Sequence, residues 1–348
     1  MNRTVSIIVP CLNERRSIRA FLYCIMQQDF TELVPEILIA DGQSDDGTRD
    51  IIRKCCRGIP RVQIVDNPSR FVSTGLNLAL KRATGEIVVR MDVHTSYAPS
   101  YVRECVRALV ESGAQNVGGP ALTMPEGYLG RAIAAAYASP FSCGGARFHQ
   151  SSYEGYVDTV TYGCWWRQTL DALGGFDEAL IRNQDDELNL RIIRGGGKIW
   201  QTPRIQSWYC PRSSLKALAL QYFQYGYWKV AIIRKHRAIA SFRHLIPALF
   251  MLFVVLGGLG TVLGFADPEH WSGIMRAYLM IMSVYLLCTV AACLRTARSE
   301  GFSLFFALLI VFPTYHFSYG AGFLFALFRG ASGIQPHNRI GFVEKLSR

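Results

Sequence analysis

Glu86-Ile-Val-Val-Arg-Met91 is a short, β-branched apolar run that leads without a break into Asp92-Val-His94. A run of that length and composition reads as a buried strand. Upstream, Val62-Gln-Ile-Val65, Glu36-Ile-Leu-Ile-Ala40 and Val5-Ser-Ile-Ile-Val-Pro10 read the same way. Residues 15–28, 48–56 and 73–84, which lie between these runs, read as helices; Ile18, Phe21, Leu22 and Ile25 mark the apolar face of the first. Strands alternating with helices predict a parallel sheet covered on both faces. Ligands of such sheets sit beyond the carboxyl ends of the strands. Asn13-Glu14, Asp41-Gly42 and the Asp92/His94 pair each follow a strand directly, so they are expected on one rim.

Downstream, residues 100–112 read as a helix and Asn116-Val-Gly-Gly119 as a strand. Residues 122–162 read as loop with one helix around Leu129–Tyr137. After the turn Gly174-Gly-Phe-Asp-Glu178, residues 185–194 form a helix closed by Gly195-Gly-Gly197, and Ile199-Trp200 a late strand.

Charge and cysteine usage narrow the class. Lys+Arg number 37 against 26 Asp+Glu, a formal charge of +11. No zinc-finger spacing or RNP-like aromatic pattern accompanies that excess, so nucleic acid is not an expected partner. Basic residues beside apolar helices instead suit anionic lipid head groups. The ten cysteines include no CxxC pair, and Cys55 and Cys56 are adjacent. Reduced, mostly buried thiols in a cytosolic compartment are the expectation. Met1-Asn-Arg-Thr4 passes straight into the first strand with no apolar signal segment, so the leading domain reads as not exported.

The C-terminal part has a different composition. Residues 213–243 interleave Leu, Tyr, Phe and Trp with Lys229, Arg234, Lys235 and Arg237, a basic amphipathic pattern suited to a membrane interface. Apolar segments follow at Leu245–Phe265, Ala277–Leu294 and Phe302–Phe328, making residues 244–328 a transmembrane region and 329–348 a basic tail. Five basic residues precede the first segment, whereas the Asp267–Arg276 loop has one, which orients residues 1–212 to the cytoplasm. Basic residues in the tail argue against an odd number of spans. The third segment, with Pro313, His316, Gly320 and Gly322, reads either as one kinked helix or as a re-entrant pair.

Several of the polar clusters carry chemistry. Asp92 and His94 after a strand can serve one Mn²⁺ or Mg²⁺ and leave positions open for phosphate oxygens. Asp41 can accept a hydrogen bond from a nucleobase N–H, with Gly42 allowing close approach; a plain turn is the alternative. Asn13-Glu14 reads equally as a helix N-cap or a ligand contact. Asp185, Asp186 and Glu187 stand at a helix start, where the dipole favours carboxylates. A general base needs one of them, and chemistry alone does not choose.

Taken together, Val-Pro-Cys-Leu-Asn13-Glu14, Asp41-Gly-x-Ser-x-Asp-Gly-Thr, Gly75-Leu-Asn77, Gly85-Glu-Ile, Asp92-x-His94 and Gly-Gly-Phe-Asp-Glu178 closely resemble glycosyltransferase family 2 over roughly residues 4–230. The resemblance implies an α/β GT-A fold, a Rossmann-like mostly parallel sheet with flanking helices, here followed by C-terminal transmembrane helices. It implies a nucleotide-sugar donor, a divalent cation (Mn²⁺ or Mg²⁺) and inversion at the anomeric carbon. Pro10, Asn13, Glu14, Asp41, Gly42, Asn77 and Asp92 become donor-binding candidates, with Asp92 and His94 as metal ligands. His94 departs from the usual second Asp. The family's E-D-x-D-L-x-x-R run aligns with residues 184–191, making Asp185 the catalytic base and Gln184 a departure.

Pro211-Arg212 and Gln221-Tyr-Phe-Gln-Tyr-Gly226 resemble a succinoglycan-assembly branch of the family, and Gln221-x-x-Gln224-Tyr225 lacks the Arg-Trp of processive synthases. The implied activity is transfer of one sugar, glucose from UDP-glucose, to a polyprenyl-diphosphate-linked oligosaccharide in exopolysaccharide repeat-unit synthesis. The implied setting is a multi-pass cytoplasmic (inner) membrane protein, with other polysaccharide-assembly enzymes as further partners. The alternatives are a polyprenyl-phosphate monosaccharide synthase and a non-catalytic membrane nucleotide-sugar-binding protein.

Overall fold

Nine-residue β1 (Arg3–Cys11) lies at the centre of the sheet because its residues 5–9 are apolar or small and fully buried on both faces. The computed structural model describes residues 2–238, 241–266 and 268–329, so nearly all of the basic tail lies outside the described residues. α1 (Ile18–Met26) follows β1, then β2 (Leu33–Asp41), α2 (Thr48–Cys55), β3 (Val62–Asp66), α3 (Val72–Arg82) and β4 (Ile87–Arg90). All four strands are parallel, in the spatial order β3-β2-β1-β4. The register sets Cys11 beside Asp41 and Asp41 beside Asp66, so three strand ends share one rim. Apolar side chains cover both faces: Ile7, Ile37 and Val89 belong to one core, and Ile8, Leu38 and Val88 to the other.

Beyond β4 the chain adds β5 (Thr95–Tyr97), α4 (Tyr101–Ser112), β6 (Asn116–Gly119), β7 (Leu122–Thr123), α5 (Gly127–Ala138), α6 (Pro140–Cys143), β8 (Gly155–Val157) and β9 (Thr161–Trp166). Then come α7 (Arg167–Leu173), α8 (Gln184–Arg194), β10 (Ile199–Gln201) and β11 (Ser207–Tyr209). The main sheet continues β4-β9-β6-β10-β8, and β5-β11-β7 form a small second sheet. The region expected to be loop with one helix therefore also holds β7, α6 and β8, and it runs directly into β9, an interior strand of the main sheet. β9 is antiparallel to both β4 and β6 and carries a register shift near Gly119. Gly163, at φ 106°, makes β9 possible, because a Cβ there would lie 2.3 Å from the Trp165 ring.

The chain divides into two compact units. One holds residues 1–124 and 147–210, and the other residues 125–146 and 211–348. The first unit ends at residue 210, and the segment around α5 groups with the C-terminal helices. Its Ala132, Ile133, Ala135 and Ala136 are small and apolar, and they pack with Leu308, Val311 and Phe312. The nine cysteines whose side chains are described are free, four of them buried.

In the second unit α9 (Leu215–His236) is one 22-residue helix with Leu218, Trp228, Val230 and Ile232 buried. Leu218 joins Leu308 and Val311 in one cluster, and Val230 joins Phe323 and Ala326 in another. Protein therefore covers much of the apolar surface that the sequence pattern assigned to lipid. α10 (Ile246–Ala266), α11 (Pro268–Glu300) and α12 (Phe305–Phe328) complete the unit. Among the described residues three helical stretches, Phe242–Phe265, Ser272–Glu300 and Phe302–Phe328, are long and apolar enough to cross a membrane. The third is one helix with Pro313 inside it, not a re-entrant pair.

α9 and α12 approach through glycines. A Cβ at Gly226 would stand 2.1 Å from the Tyr319 carbonyl oxygen, and one at Gly322 2.0 Å from that of Phe223. Small residues allow such backbone contact between apolar helices. Gly322→Val should lower the thermal unfolding temperature of the full chain in detergent, since overpacking costs about 1–3 kcal/mol or more. An unchanged melting curve would show that the two helices are not held this closely.

Candidate active site

The rim is tied together by the loops after β1 and β2. Asn13, at φ 55°, exchanges hydrogen bonds with Asp45: its amide nitrogen donates to the carboxylate at 3.0 Å and its oxygen accepts the Asp45 backbone N–H at 3.0 Å. Its own N–H donates to Ser44 Oγ at 2.9 Å. Asn13 is thus a latch between loops and not a helix cap; α1 begins later, with Ser17 at its cap position. Asp41 is fully buried and accepts Ser44 Oγ–H at 2.6 Å and the Ser44 N–H at 3.3 Å, with Arg49 Nη1 at 3.5 Å. Its oxygens therefore support the β2–α2 loop. Gly42 is packed closely: a Cβ would meet Leu12 at 3.2 Å and the Arg70 backbone at 3.4 Å. Pro10 lies within β1, half-buried beside Ala40.

Around the end of β4, a buried arginine gathers two carboxylates. Arg90 Nε and Nη2 donate to the two oxygens of Asp92 at 2.8 and 2.9 Å, and Nη1 donates to Asp185 Oδ1. Only 5% of the Arg90 side chain is exposed. Burial works against its charge, but Asp185 and Asp92 more than offset that and hold the guanidinium above its ordinary pKa. The Tyr162 ring lies 6.0 Å from it, and the Asp92 N–H donates to Tyr97 Oη at 2.6 Å. The structure thus brings together Asp92 and Asp185, 93 residues apart in the chain, as a pair of sequence candidates. Arg90 was not among those candidates. Its signal was present, because a lone Arg in the otherwise apolar run Ile87-Val-Val-Arg90 must have a partner to be buried.

Asp185 enters through α8, whose first turn holds Asp185, Asp186 and Glu187. A third of the Asp185 side chain still reaches solvent, yet its surroundings desolvate it. Burial raises its pKa to about 6; Arg90 opposes the rise, and Asp92 and Asp186 reinforce it. A carboxylate so placed is closer in pKa to a physiological base than an ordinary Asp. If Asp185 is the base, kcat/KM should climb with pH and level off above about 6. Its folded-state pKa lies above its unfolded one, so its contribution to stability is full below about 4 and lost as pH rises through about 6. Parallel pH–rate and pH–unfolding curves check both signs.

The other two acids of the run have different partners. Asp186 lies 3.4 Å from Thr159 Oγ1, which also accepts from Asn189. Glu187 is fully buried against Arg191, whose Nη1 and Nη2 also donate to the Leu173 and Gly175 carbonyls at 2.6 and 2.7 Å. Asn77 binds the same turn: its amide nitrogen donates to Phe176 O and Glu178 Oε1, both at 2.8 Å, and its oxygen accepts the Phe176 N–H at 2.8 Å. Its amide is engaged in holding that turn and not directed at a ligand.

The donor set for a cation is small. Among the described residues no group of three His, Cys, Asp or Glu side chains could hold a metal ion by itself. His94 Nδ1 lies 3.2 Å from Glu14 Oε1. A carboxylate only accepts, so Nδ1 is the donor in this pair, and in the neutral ring Nε2 is the nitrogen that can ligate a metal. Each Asp92 oxygen taken by Arg90 keeps a second lone pair. Mg²⁺ is commonly bound through one or two carboxylates with substrate phosphates and water, so Asp92 is the donor type that a cation arriving with a diphosphate takes, and His94 would add a nitrogen.

A carboxylate-bearing rim on a mostly parallel sheet, followed by apolar helices, defines the class, and comparison with known proteins gives the family. Residues 6–142 match the family described as Glycosyl transferase family 2. The chain is 32% identical over 243 residues to the succinoglycan biosynthesis protein ExoA of Rhizobium meliloti (strain 1021), covering 69% of this chain and 73% of ExoA. The chain belongs to glycosyltransferase family 2 and is a glycosyltransferase. It is also 27% identical over 337 residues to a Methanococcus voltae enzyme, dolichyl N-acetyl-alpha-D-glucosaminyl phosphate 3-beta-D-2,3-diacetamido-2,3-dideoxy-beta-D-glucuronosyltransferase, covering 94% of this chain and 98% of that protein. Among solved structures, the mannosyltransferase PcManGT from Pyrobaculum calidifontis, in complex with GDP-Man and Mn²⁺, superposes with a TM-score of 0.53 at 21% identity. That superposition covers 82% of this chain and 87% of PcManGT, and it shows the shared GT-A fold.

Proposed function

We propose that this chain transfers one sugar from a nucleotide diphosphate donor, UDP-glucose in the first instance, to a hydroxyl of a polyprenyl-diphosphate-linked glycan. The reaction would take place at the cytoplasmic face of the inner membrane and build an exopolysaccharide repeat unit. The observation that carries this reading is the pairing of Asp92 and Asp185 on one buried guanidinium, with the Asp185 carboxyl raised in pKa, which supports a donor-side role for the first and the base role for the second. Relatedness to ExoA supports the exopolysaccharide setting. The Methanococcus relative, whose name gives a sugar on a lipid phosphate as acceptor, supports a lipid-linked sugar hydroxyl.

The donor's nucleoside would lie over the ends of β1, β2 and β3. Asp41 would take the base N–H by exchanging one of its Ser44 hydrogen bonds, with Pro10, Asn13, Glu14 and Gly42 shaping the rim. Asp185 accepts the acceptor's hydroxyl proton as its oxygen attacks the anomeric carbon in line, with inversion. Asp92 and His94 would hold Mn²⁺ or Mg²⁺, whose Lewis acidity offsets the charge of the departing diphosphate. The five basic residues before the first apolar segment keep the catalytic unit at the cytoplasmic leaflet.

The test is transfer by the purified full chain in detergent from a panel of labelled UDP-sugars to extracted lipid-linked acceptors, with Mn²⁺, Mg²⁺ or EDTA. Label in the lipid-linked product, abolished by EDTA, is the expected result. Folded protein that transfers nothing under any combination contradicts it, and transfer that persists in EDTA removes the cation.

A further inference from the structure

Arg90 is the residue on which both halves of the site converge, and neither the donor nor the acceptor chemistry outlined above requires an arginine there. Its planar guanidinium is divided by nitrogen: Nε and Nη2 go to the two oxygens of Asp92 at 2.8 and 2.9 Å, while Nη1 goes to Asp185. Two tyrosines adjoin the pair of Arg90 and Asp92. The Tyr162 ring is 6.0 Å from the guanidinium, and Tyr97 Oη receives the Asp92 N–H at 2.6 Å. Arg90 sits at the end of β4, which is buried throughout and paired on both edges, by β1 and β9. Asp185 arrives on a separate helix, 95 residues away in sequence.

We propose that Arg90 is a positioning residue that fixes the base carboxylate of Asp185 in register with the donor-side carboxylate of Asp92. This role rests on the reading of Asp185 as the base. A bidentate fork on one carboxylate fixes the plane of the guanidinium, and the fixed plane then aims the remaining nitrogen at the second carboxylate. Lysine can neutralise the same charges but cannot fork, because its ammonium is a point charge on a flexible stem. Arg90 is nearly buried, with its guanidinium nitrogens committed to the two carboxylates, so its contribution lies in where it holds Asp185.

Arg90→Lys in the full chain should keep the fold and bind UDP with Mg²⁺ within about threefold of the parent. Its kcat should fall about 10²-fold, the scale of a 1 Å misplacement of a reacting group. Donor KM should change little. In an Asp185→Asn background the same substitution should cost almost nothing more, because residues acting as one unit are not additive. Asp185→Glu supplies an independent arm with Arg90 intact: moving the carboxylate by one methylene should likewise lower kcat and spare UDP binding.

A kcat within about threefold of the parent in either Arg90→Lys or Asp185→Glu overturns the proposal, since 10² is the expected scale. So does a loss confined to KM, or full additivity with Asp185→Asn. Asp185→Asn with undiminished turnover removes the base assignment itself, together with the role drawn from it. An inactive Asp185→Asn beside a fully active Arg90→Lys removes the positioning role alone.

Discussion

Asp185→Asn should lower kcat for transfer to a sugar hydroxyl by about 10²–10⁴-fold, the usual worth of a positioned general base. The amide keeps the carboxylate's shape but cannot take a proton at neutral pH. Asp185 is not needed to seat the nucleotide, so UDP affinity should stay near that of the parent. The fold should also hold, because burial already disfavours the Asp185 charge and raises its pKa to about 6. The same variant separates the two catalytic readings. An acceptor phosphate is ionised and needs no base, so a polyprenyl-phosphate synthase would keep full turnover. The measurement is the initial rate with each acceptor, next to UDP titration by calorimetry.

The second large effect concerns stability. Glu187→Ala should destabilise the catalytic unit by about 3–5 kcal/mol, the scale for breaking a buried ion pair from one side. Glu187 is fully buried and receives Arg191 Nε at 3.0 and 2.9 Å and Nη2 at 2.7 Å. Arg191 in turn holds the Leu173 and Gly175 carbonyls, so its guanidinium links α8 to the turn after α7. Removing the carboxylate leaves that cation without its main counter-charge. At the per-kcal/mol shift typical of units of this size, the unfolding temperature should fall by roughly 10 °C. A shift under about 2 °C would show that the pair contributes little.

These two acids stand two residues apart in a run of three candidates, and chemistry alone did not distinguish them. Three dimensions separate them: Asp185 reaches Arg90 and solvent, whereas Glu187 turns inward to Arg191. The parallel half of the sheet was legible because four β-branched runs alternate with helical spacing, a local pattern. β9 was not, because Thr161-Tyr-Gly-Cys-Trp-Trp166 becomes a central strand only through neighbours on both sides and a glycine that admits the Trp165 ring. Residues around α5 gave no sign of grouping with the C-terminal helices, since their small apolar face is defined by what packs on it.

The site divides along similar lines. Asp92, His94, Glu14 and Asp41 stand at strand ends, where an alternating pattern places them without further information. Asn77 was an expected donor ligand, and its amide instead holds the turn at Phe176, a contact 99 residues away in sequence. Arg90 was visible as a charge in an apolar strand, but one of its two partners lies 95 residues downstream. Long-range pairing of this kind leaves no periodic trace.

The most direct measurement is the anomeric configuration of the product. Full-length protein, an α-linked UDP-sugar that supports transfer, a divalent cation and the lipid-linked acceptor would be incubated, and the new linkage read by NMR coupling constants. One base and one in-line displacement should give a β linkage to an acceptor hydroxyl, lost in Asp185→Asn. An α linkage, or a β linkage formed equally well by Asp185→Asn, would contradict the account.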